Sequence, residues 1–332
     1  MTTGNCLLCG AELTLACGRH DGYVAGTSYA IHLCSGCGTS VVAPLKAGGE
    51  VYDFIYRNSE RVPGYSRYHA YAAVIKAKED PLAFLAEAEE MYFGVRTAMA
   101  GKIGTPARIL EVGSGLGYTT YALSRAGFDV CGIDLSQAAV ERATANFGPL
   151  YRCVSLEHLA ESEGCRYDVI VATEVIEHVE DPMQFVREIA ALLKPDGFVV
   201  LTTPRKYRNC DAVWDTDLPP VHLWWLTVEG MQAVAAQTGF SCHFVDTSQH
   251  RANWLNPYVP PSAEFRRKPF VSENFELLKT RHSGDFFSRD GIQGLARKAK
   301  LAVAVGKEFL RRTHSPILTR TIVAVLTPRA PD

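Results

Sequence analysis

A short apolar strand that runs into a glycine-rich loop constrains this 332-residue chain more than any other feature. Residues 107–117 read ARILEVGSGLG and precede a helical pattern. A strand, a glycine loop and a helix in that order form the anion or cofactor cradle of a Rossmann-like unit, so an α/β fold is predicted. The glycine spacing is Gly113-x-Gly115-x-Gly117, with Tyr118 where a dinucleotide fingerprint has its last glycine.

Two acidic side chains near this loop indicate which cofactor it holds. Glu111 lies two positions before the first loop glycine, where it would repel a diphosphate and attract a cationic amino-acid group. Asp134 ends the next predicted strand, about 20 residues further on, in position to bind both ribose hydroxyls. A helix N-cap is the alternative role for Asp134. Together the two carboxylates favour S-adenosylmethionine over NAD.

Composition and charge limit the remaining classes of protein. A chain of this length with 47% hydrophobic residues can bury one sizeable core and still carry smaller appendages. Its 34 basic and 36 acidic residues leave a formal net charge of −2, so a nucleic-acid partner is not expected. No stretch approaches about eighteen uninterrupted apolar residues, and the start MTTGNCLLCG lacks a secretion signal. We therefore expect no membrane span and a cytoplasmic location.

Four of the ten cysteines form two CxxC pairs near the start of the chain. Cys6 and Cys9 make one pair, Cys34 and Cys37 make the other, and a glycine follows each. Two such turns let four thiolates converge on one ion in a closed tetrahedral shell, which is typical of structural zinc. The spacing therefore predicts a zinc ribbon over residues 1–45, and metal binding in place of disulfides.

The stretch between the two pairs supports the same interpretation. Residues 23–25 and 28–33 have alternating, strand-like content. Cys17 and His20 lie in the same stretch and are alternative metal ligands. A module of this size has a thin apolar core, so metal binding would supply most of its folding free energy.

Five segments together carry a family resemblance. ILEVGSGLG, CGIDLS, YDVIVATEVIEHVEDP, LLKPDGFVVLTTP and HLWWLT resemble the class I methyltransferases, especially those that act on small molecules. The resemblance covers residues 105–245 and implies a Rossmann-like, seven-stranded, mostly parallel sheet with helices on both faces. The paired cysteines, followed by a proline and a tyrosine-rich stretch, are similar to a zinc-ribbon subgroup of sugar and natural-product methyltransferases.

The resemblance implies cofactor contacts for particular residues. Glu111, Gly113, Gly115 and Gly117 would hold the methionine end of S-adenosylmethionine, and Asp134 would hold its ribose. The residues that would border the adenine are Ser155, Leu156 and Glu157. These assignments define a cofactor site at one end of the predicted sheet.

Two candidate catalytic residues follow the predicted fourth strand. This strand, 168–173, is apolar in its interior, so its carboxyl end is expected to open where ligands bind in a parallel sheet. Thr173 at that end is therefore a candidate for cofactor binding. Glu174 and His178 are four residues apart, which predicts one face of a helical turn, and histidine suits base chemistry near neutral pH. The alternative is that His178 only holds this turn to its neighbours.

His222 is the first choice for a base or for a residue that orients the acceptor. It lies in the loop after the predicted fifth strand, next to Trp224 and Trp225. Loops at this end of a sheet usually form the acceptor pocket, although a capping or packing role for His222 is the alternative. Three charged residues of the same loop would bind a polar acceptor or stay solvated: Arg205, Asp215 and Asp217.

A tyrosine-rich connector, 46–100, joins the ribbon to the predicted core. Its apolar residues repeat at helical spacing over 81–99, which predicts a helix there. Tyr65 and Tyr68 either pack across the mouth of the core domain or cap the cofactor and substrate as part of the binding site. We expect a helical connector or cap in either case.

The predicted core spans 101–248, and its last strand lies within 319–330 after an insertion, 249–318. The resemblance implies that the sixth and seventh strands pair antiparallel at the sheet edge. Residues 290–312 of the insertion have the pattern of a basic amphipathic helix. This helix is expected to pack on the sheet or to join a homodimer, and a membrane surface or a nucleic acid is the alternative partner.

Three functions from different classes remain open at this point. The first is a methyltransferase that moves a methyl group from S-adenosylmethionine to a small-molecule acceptor, a sugar or natural-product intermediate, by O- or C-methylation. The second is an RNA methyltransferase with the zinc ribbon as its substrate reader. The third is a non-catalytic scaffold that binds the cofactor.

Overall fold

The computed structural model describes residues 4–255, 258–278 and 318–329. The N-terminal module is an antiparallel sheet of β1 (Leu13–Asp21), β2 (Ser28–Cys34) and β3 (Ser40–Ala43). The strand expected at 23–25 is wrong, because only an isolated bridge forms there, at Val24. β1 was not predicted, since it is exposed along most of its length and lacks the alternation of a half-buried strand.

The connector contains four helices rather than one long helix. These are α1 (Gly49–Arg57), α2 (Ser66–Val74), α3 (Pro81–Ala88) and α4 (Glu90–Met99), with a 3-10 turn at Ile75–Ala77. The single helix predicted over 81–99 is wrong, because Glu89 has an extended backbone (φ −135°, ψ 141°). In this conformation its carboxylate accepts a hydrogen bond from Tyr71 at 2.9 Å and pairs with Arg67 at 2.8 Å.

The core is built on a seven-stranded sheet. Its strands are β4 (Arg108–Val112), β5 (Asp129–Asp134), β6 (Tyr151–Cys153), β7 (Tyr167–Thr173), β8 (Leu193–Pro204), β10 (Phe240–Phe244) and β11 (Thr321–Pro328), while β9 (Trp224–Trp225) lies outside it. The spatial order is β10-β11-β8-β7-β4-β5-β6. All pairs are parallel except the two made by β11, which runs antiparallel to β8 and β10. The predicted Rossmann-like, mostly parallel sheet is confirmed.

Helices cover both faces of this sheet. The helices that follow the connector are α5 (Tyr118–Arg125), α6 (Gln137–Phe147), α7 (Leu156–Glu163), α8 (Pro182–Leu192), α9 (Val228–Gln237) and the short α10 (Arg251–Leu255). On one face Ile189 of α8 packs against the sheet, and on the other Leu85 of α3 and Val95 of α4 do so. These side chains have 0% exposure, and burial of each contributes about 1.5–3 kcal/mol.

The ribbon and the core share a sheet. β9, which comes from the loop after β8, adds a fourth strand beside β3, with Ser40 opposite Trp225 and Val41 opposite Trp224. This pairing was not predicted, because it joins residues far apart in the chain. The ribbon is therefore hydrogen-bonded to the loop that carries His222.

Part of the predicted insertion belongs to the described structure. Phe270 packs on Tyr23 with ring centroids 5.1 Å apart, and its backbone N–H donates to the Tyr23 carbonyl at 3.0 Å. The predicted basic helix at 290–312, and with it the expected dimer contact, lies outside the described residues. Within the described ranges, none of the helices has the length and apolar character needed to cross a bilayer.

Candidate active site

The four paired cysteines converge at one point of the ribbon. The Sγ atoms of Cys6 and Cys37 are 3.9 Å apart, those of Cys9 and Cys34 are 3.4 Å apart, and all four lie within 4.8 Å of one another. Zinc–sulfur bonds of about 2.3 Å in a tetrahedron separate the sulfurs by about 3.8 Å. The cluster is thus compatible with a zinc ribbon.

Neither of the alternative metal ligands belongs to this cluster. His20 on β1 is buried, and its Nδ1 atom lies 2.9 Å from the carbonyl of Asp21. Cys17 also lies on β1 and is partly buried. All ten cysteines are free, so no disulfide competes for the four paired thiols.

The glycine loop between β4 and α5 needs its glycines for conformational reasons. Gly113, Gly115 and Gly117 have φ angles of 74°, 50° and 82°, in the left-handed region that other residues rarely adopt. A Cβ atom on Gly113 would lie 2.6 Å from a methyl of Val175. The backbone N–H groups of Gly113 and Ser114 both donate to the carbonyl of Ile133 at 2.9 Å, which ties the loop to β5.

Glu111 lies at the base of this loop with 2% exposure. The hydroxyl of Thr120 donates a short hydrogen bond to its carboxylate. Burial nevertheless raises the pKa of Glu111 to about 8, because the charged form loses its hydration. A cationic group would stabilise the carboxylate, so this position fits the amino-acid end of S-adenosylmethionine.

Asp134 ends β5 beside the loop. One carboxylate oxygen accepts from the N–H of Gly115 at 2.8 Å and the other accepts from Ser136 at 2.9 Å. Burial raises the pKa of Asp134. The side chain that caps α6 is that of Ser136, which accepts from Ala139 at 3.3 Å, so Asp134 is not its N-cap. Asp134 remains available to a ligand on its cavity side.

A single cavity of about 1070 Å³ brings most of the predicted site residues together. The predicted residues that line it are Tyr65, Tyr68, Glu111, Gly113, Gly115, Asp134, Ser155, Leu156, Glu157, Thr173, Glu174, His178 and His222. Gly117 is not part of the lining, because it lies against Ala143 and Tyr151, where a Cβ atom would be 2.6–2.8 Å from either. Ser155 also caps α7 by accepting from His158 at 3.2 Å.

A buried carboxyl group lies close to two imidazoles that line the cavity. Glu177 Oε1 lies 3.9 Å from His178 Nε2 and 4.0 Å from His222 Nε2, and the two rings are 4.6 Å apart at their centroids. Glu177 is fully buried, and neither carboxylate oxygen has a hydrogen-bond partner among the residues that the structure describes. Burial raises the pKa of Glu177 and lowers the pKa of both histidines.

A carbonyl group orients the His178 ring. The Nδ1 atom of His178 lies 2.7 Å from the carbonyl oxygen of Val221 and 2.5 Å from the hydroxyl of Tyr52. A carbonyl only accepts, so Nδ1 carries the proton in this contact, and the basic lone pair of the neutral ring is on Nε2. The Tyr52 hydroxyl donates to the same carbonyl at 2.5 Å. The ring is therefore held in the tautomer that can accept a proton at Nε2.

The predicted helical turn holding Glu174 and His178 on one face is wrong. Glu174 directly follows β7 with φ 55°, and a 3-10 turn begins only at Ile176. The backbone N–H of Glu174 donates to the hydroxyl of Thr202 on β8 at 3.1 Å, and that hydroxyl donates to the Glu174 carboxylate at 3.0 Å. Burial raises the pKa of Glu174 to about 7. Its carboxylate is thus held at β8, within the lining of the same cavity.

Side chains from the connector cover the cavity. Tyr52 and Tyr56 from α1 line it together with Tyr65, Arg67 and Tyr68. Arg67 donates to the Tyr68 hydroxyl at 2.6 Å. Packing and capping were predicted as alternatives, but they are not exclusive. The same residues pack on the core and line the cavity.

Sequence reasoning missed several residues of the site. Glu177 was not predicted, because it lies in a 3-10 turn that is too short to show a period. Tyr52 was not predicted, because nothing in the sequence distinguishes it from the other tyrosines of the connector. Of the three charged loop residues that were predicted, Asp217 lines the cavity, and burial raises its pKa. Asp215 also lines it, whereas Arg205 points its guanidinium to Thr319 at 3.0 Å.

Comparison with known proteins places the chain among methyltransferases. The family model described as methyltransferase domain matches residues 84–304. A ubiquinone biosynthesis O-methyltransferase of Bordetella avium (strain 197N) is 40% identical over 101 residues, 29% of this chain and 42% of that protein. A protein of the same name from Parvibaculum lavamentivorans is 35% identical over 136 residues, 40% of this chain and 53% of that protein. The chain thus spans about half the length of these curated relatives, or less.

Among solved structures, a methyltransferase from Bacteroides fragilis in complex with S-adenosyl-L-homocysteine is a distant likeness, 24% identical with a TM-score of 0.37 over 47% of this chain and 73% of that chain. The matched family segment, 84–304, contains the glycine loop, Asp134 and both histidines of the cavity. The chain belongs to the methyltransferase domain family, and its sheet has the class I fold of S-adenosylmethionine-dependent methyltransferases.

Proposed function

We propose that this protein transfers a methyl group from S-adenosylmethionine to a small-molecule acceptor. One observation carries the proposal: a single cavity is lined both by the glycine loop with Asp134 and by His178 and His222. Ligand pockets in proteins usually measure about 300–1,000 Å³. A cavity of about 1070 Å³ therefore has room for the cofactor and for a second molecule beside it.

The residues at the loop end fit the cofactor by charge and position. Glu111 would face its cationic amino-acid end, Asp134 would accept from the ribose hydroxyls, and the segment 155–157 would border the adenine. When bound, the cofactor supplies an electrophilic methyl group on a sulfonium. The chain itself must then align the acceptor, and alignment alone is worth about 7–11 kcal/mol of the barrier.

The histidines would remove a proton from the acceptor. Burial lowers the pKa of His178 and of His222, so both rings are neutral at neutral pH and each can take a proton. An imidazole nitrogen would take the O–H proton of a hydroxyl acceptor, which would make its oxygen a better nucleophile toward the methyl group that the cofactor supplies. General-base catalysis of this kind contributes about 10²–10⁴-fold in rate. Glu174, at the cofactor-facing end of β7, is a further polar contact for either reactant.

The acceptor class follows from the lining and from the relatives. Tyr52, Tyr65, Tyr68 and Phe270 provide aromatic surface, and Asp217 provides a buried polar group. This mixture suits a ring-bearing molecule with hydroxyl groups. The curated relatives are named ubiquinone biosynthesis O-methyltransferases, which favours a hydroxyl over a carbon acceptor. A phenolic or sugar hydroxyl of a biosynthetic intermediate is therefore the proposed target.

We also propose that the four paired cysteines hold one structural zinc ion. Their sulfur positions suit a closed tetrahedral shell, and such a shell leaves no site for substrate. The ion would stabilise the ribbon and take no part in methyl transfer.

The proposal is tested first by calorimetric titration of the purified protein with S-adenosylmethionine and S-adenosylhomocysteine. Micromolar binding of both is expected. Mass spectrometry of reactions with panels of catechols and of sugars then identifies acceptors by a gain of one methyl group. His222→Asn should bind the cofactor as the wild type does and lose about 10²–10⁴-fold in rate. Folded protein that binds neither compound would exclude the methyltransferase function.

A further inference from the structure

We propose that the cysteine ribbon positions His222 by holding the segment 218–227 on both sides of it. The ribbon would then be a part of the active site that touches no reactant. This inference rests on the proposed function only for the role of His222 toward the acceptor. The contacts that carry it are hydrogen bonds between the ribbon and the segment 218–227.

One set of contacts lies before His222 in the chain. The N–H of Tyr23, near the start of the β1–β2 connection, donates to the carbonyl of Pro219 at 2.7 Å. Leu218 and Val221 have 0% exposure and pack in one cluster with Tyr23 and Val24. The ribbon therefore fixes the backbone three residues before His222.

A second set lies after His222. The N–H of Val42 on β3 donates to the carbonyl of Leu223 at 3.1 Å, and the β3–β9 ladder continues through Trp224 and Trp225. Thr227 ends the segment, and its hydroxyl donates to the carbonyl of Cys37 at 2.6 Å. Cys37 is one of the four clustered thiols, so the metal-ligand turn is bonded directly to the segment that carries His222.

A buried lysine reinforces the same interface. Lys206, in the loop after β8, has 4% exposure, and its Nζ atom donates to the carbonyl of Gly38 at 2.8 Å and to the Ser40 hydroxyl at 2.7 Å. Gly38 directly follows Cys37. Burial of a lysine is unfavourable unless its donors are satisfied, so these contacts require the ribbon to keep its fold.

The opposite side of the segment 218–227 is hydrogen-bonded to the core. The N–H of Leu223 donates to the carbonyl of Glu177 at 2.8 Å, and the Trp224 indole donates to the carbonyl of Val179 at 2.9 Å. The segment therefore lies between the ribbon and the turn that carries His178. Loosening of the ribbon should move His222 relative to His178. The glycine loop should stay in place, because it is hydrogen-bonded to β5 of the core.

A matched pair of variants tests the link. Thr227→Val keeps the shape of the side chain and removes the donor to Cys37, whereas Thr227→Ser keeps the donor. Both are compared with the wild type in the full chain, with zinc content measured in each. Nitrogen and carbon resonances of the ten histidines are recorded against pH, and His222→Asn identifies the His222 signals.

The expected result is specific to His222. In Thr227→Val its ring resonances shift and its titration midpoint rises towards the ordinary value of 6.5, while Thr227→Ser restores the wild-type behaviour. The affinity for S-adenosylhomocysteine should change less than about twofold. Thr227 also caps α9 by accepting from Gly230 at 3.0 Å, so a lower melting temperature alone would not support the inference.

Lys206→Met gives a second route to the same measurement. It removes both donors to the ribbon and leaves the α9 cap intact. Unchanged His222 resonances in both Thr227→Val and Lys206→Met would overturn the inference. Failure of the wild type to bind S-adenosylhomocysteine would instead count against the proposed function, and the histidine result would still stand.

Discussion

The Oε1 atom of Glu177 lies 4.0 Å from the Nε2 atom of His222, and both side chains are buried. Within the described part of the chain, no group donates a hydrogen bond to either carboxylate oxygen of Glu177, and the desolvation of its charged form raises its pKa. Stable proteins rarely keep such a group without a functional reason. His222 lines the cavity, so the charge of Glu177 acts on a side chain that borders the proposed site.

Glu177→Gln should stabilise the protein in a pH-dependent way. The folded-state pKa of Glu177 lies above its ordinary value of 4.5, so its contribution to stability is fully present below pH 4.5 and is lost as pH rises through the folded-state value. Glutamine carries no charge at either pH, so the variant does not lose stability as the pH rises. We expect a gain on the order of 1–3 kcal/mol at pH 8 and none near pH 4.5, measured by denaturant unfolding. The exposed Glu161→Gln is the control, and an equal effect at both pH values would contradict the prediction.

Asp134→Asn should weaken cofactor binding. The carboxylate of Asp134 would accept from the ribose, and hydrogen bonds to a charged group are worth about 1.5–3 kcal/mol, or about 10–150-fold in Kd. Calorimetry with S-adenosylhomocysteine measures the change. Asp129→Asn is the matched control, because Asp129 begins the same strand with its side chain 71% exposed. Equal affinity of the Asp134→Asn and Asp129→Asn proteins would remove Asp134 from the binding site.

Gly113→Ala should distort the cofactor loop. Its φ of 74° is strained for alanine, and the new methyl group would lie 2.6 Å from Val175. We expect a loss of about 1–3 kcal/mol in the free energy of unfolding and loss of cofactor binding. Val175→Ala on the same background removes the clash and leaves the φ strain, so it should restore only part of the stability. Full stability in Gly113→Ala would show that the loop can adopt another conformation.

Removal of one paired thiol should release the metal and unfold the ribbon. The wild type should contain about one zinc ion per chain, since the four thiols form one shell. Cys6→Ser should lower that content to near zero and lower the melting temperature. Cys153→Ser, at an exposed cysteine, should change neither. Metal analysis of dialysed protein and calorimetry test both, and full zinc content in Cys6→Ser would point to a different ligand set.

Local features of the chain could be predicted from the sequence without the structure. The strand, glycine loop and helix at 107–125, the acids Glu111 and Asp134, and the two CxxC pairs each depend on neighbours in sequence. Left-handed glycines, strand-end acids and paired thiolates leave a pattern within a few residues, because each solves a local geometric problem. The cofactor end and the cysteine cluster were predicted for this reason.

The sequence by itself determined the class of fold, the cofactor loop and the cysteine cluster, because those follow from short-range spacing. Only the tertiary structure decided that β9 joins the ribbon sheet and that Glu177, His178 and His222 meet in one place. Glu177 and His222 come together through a 3-10 turn and a loop, neither of which has a repeating pattern. Their meeting depends on long-range hydrogen bonds and packing between distant segments, which no local period encodes.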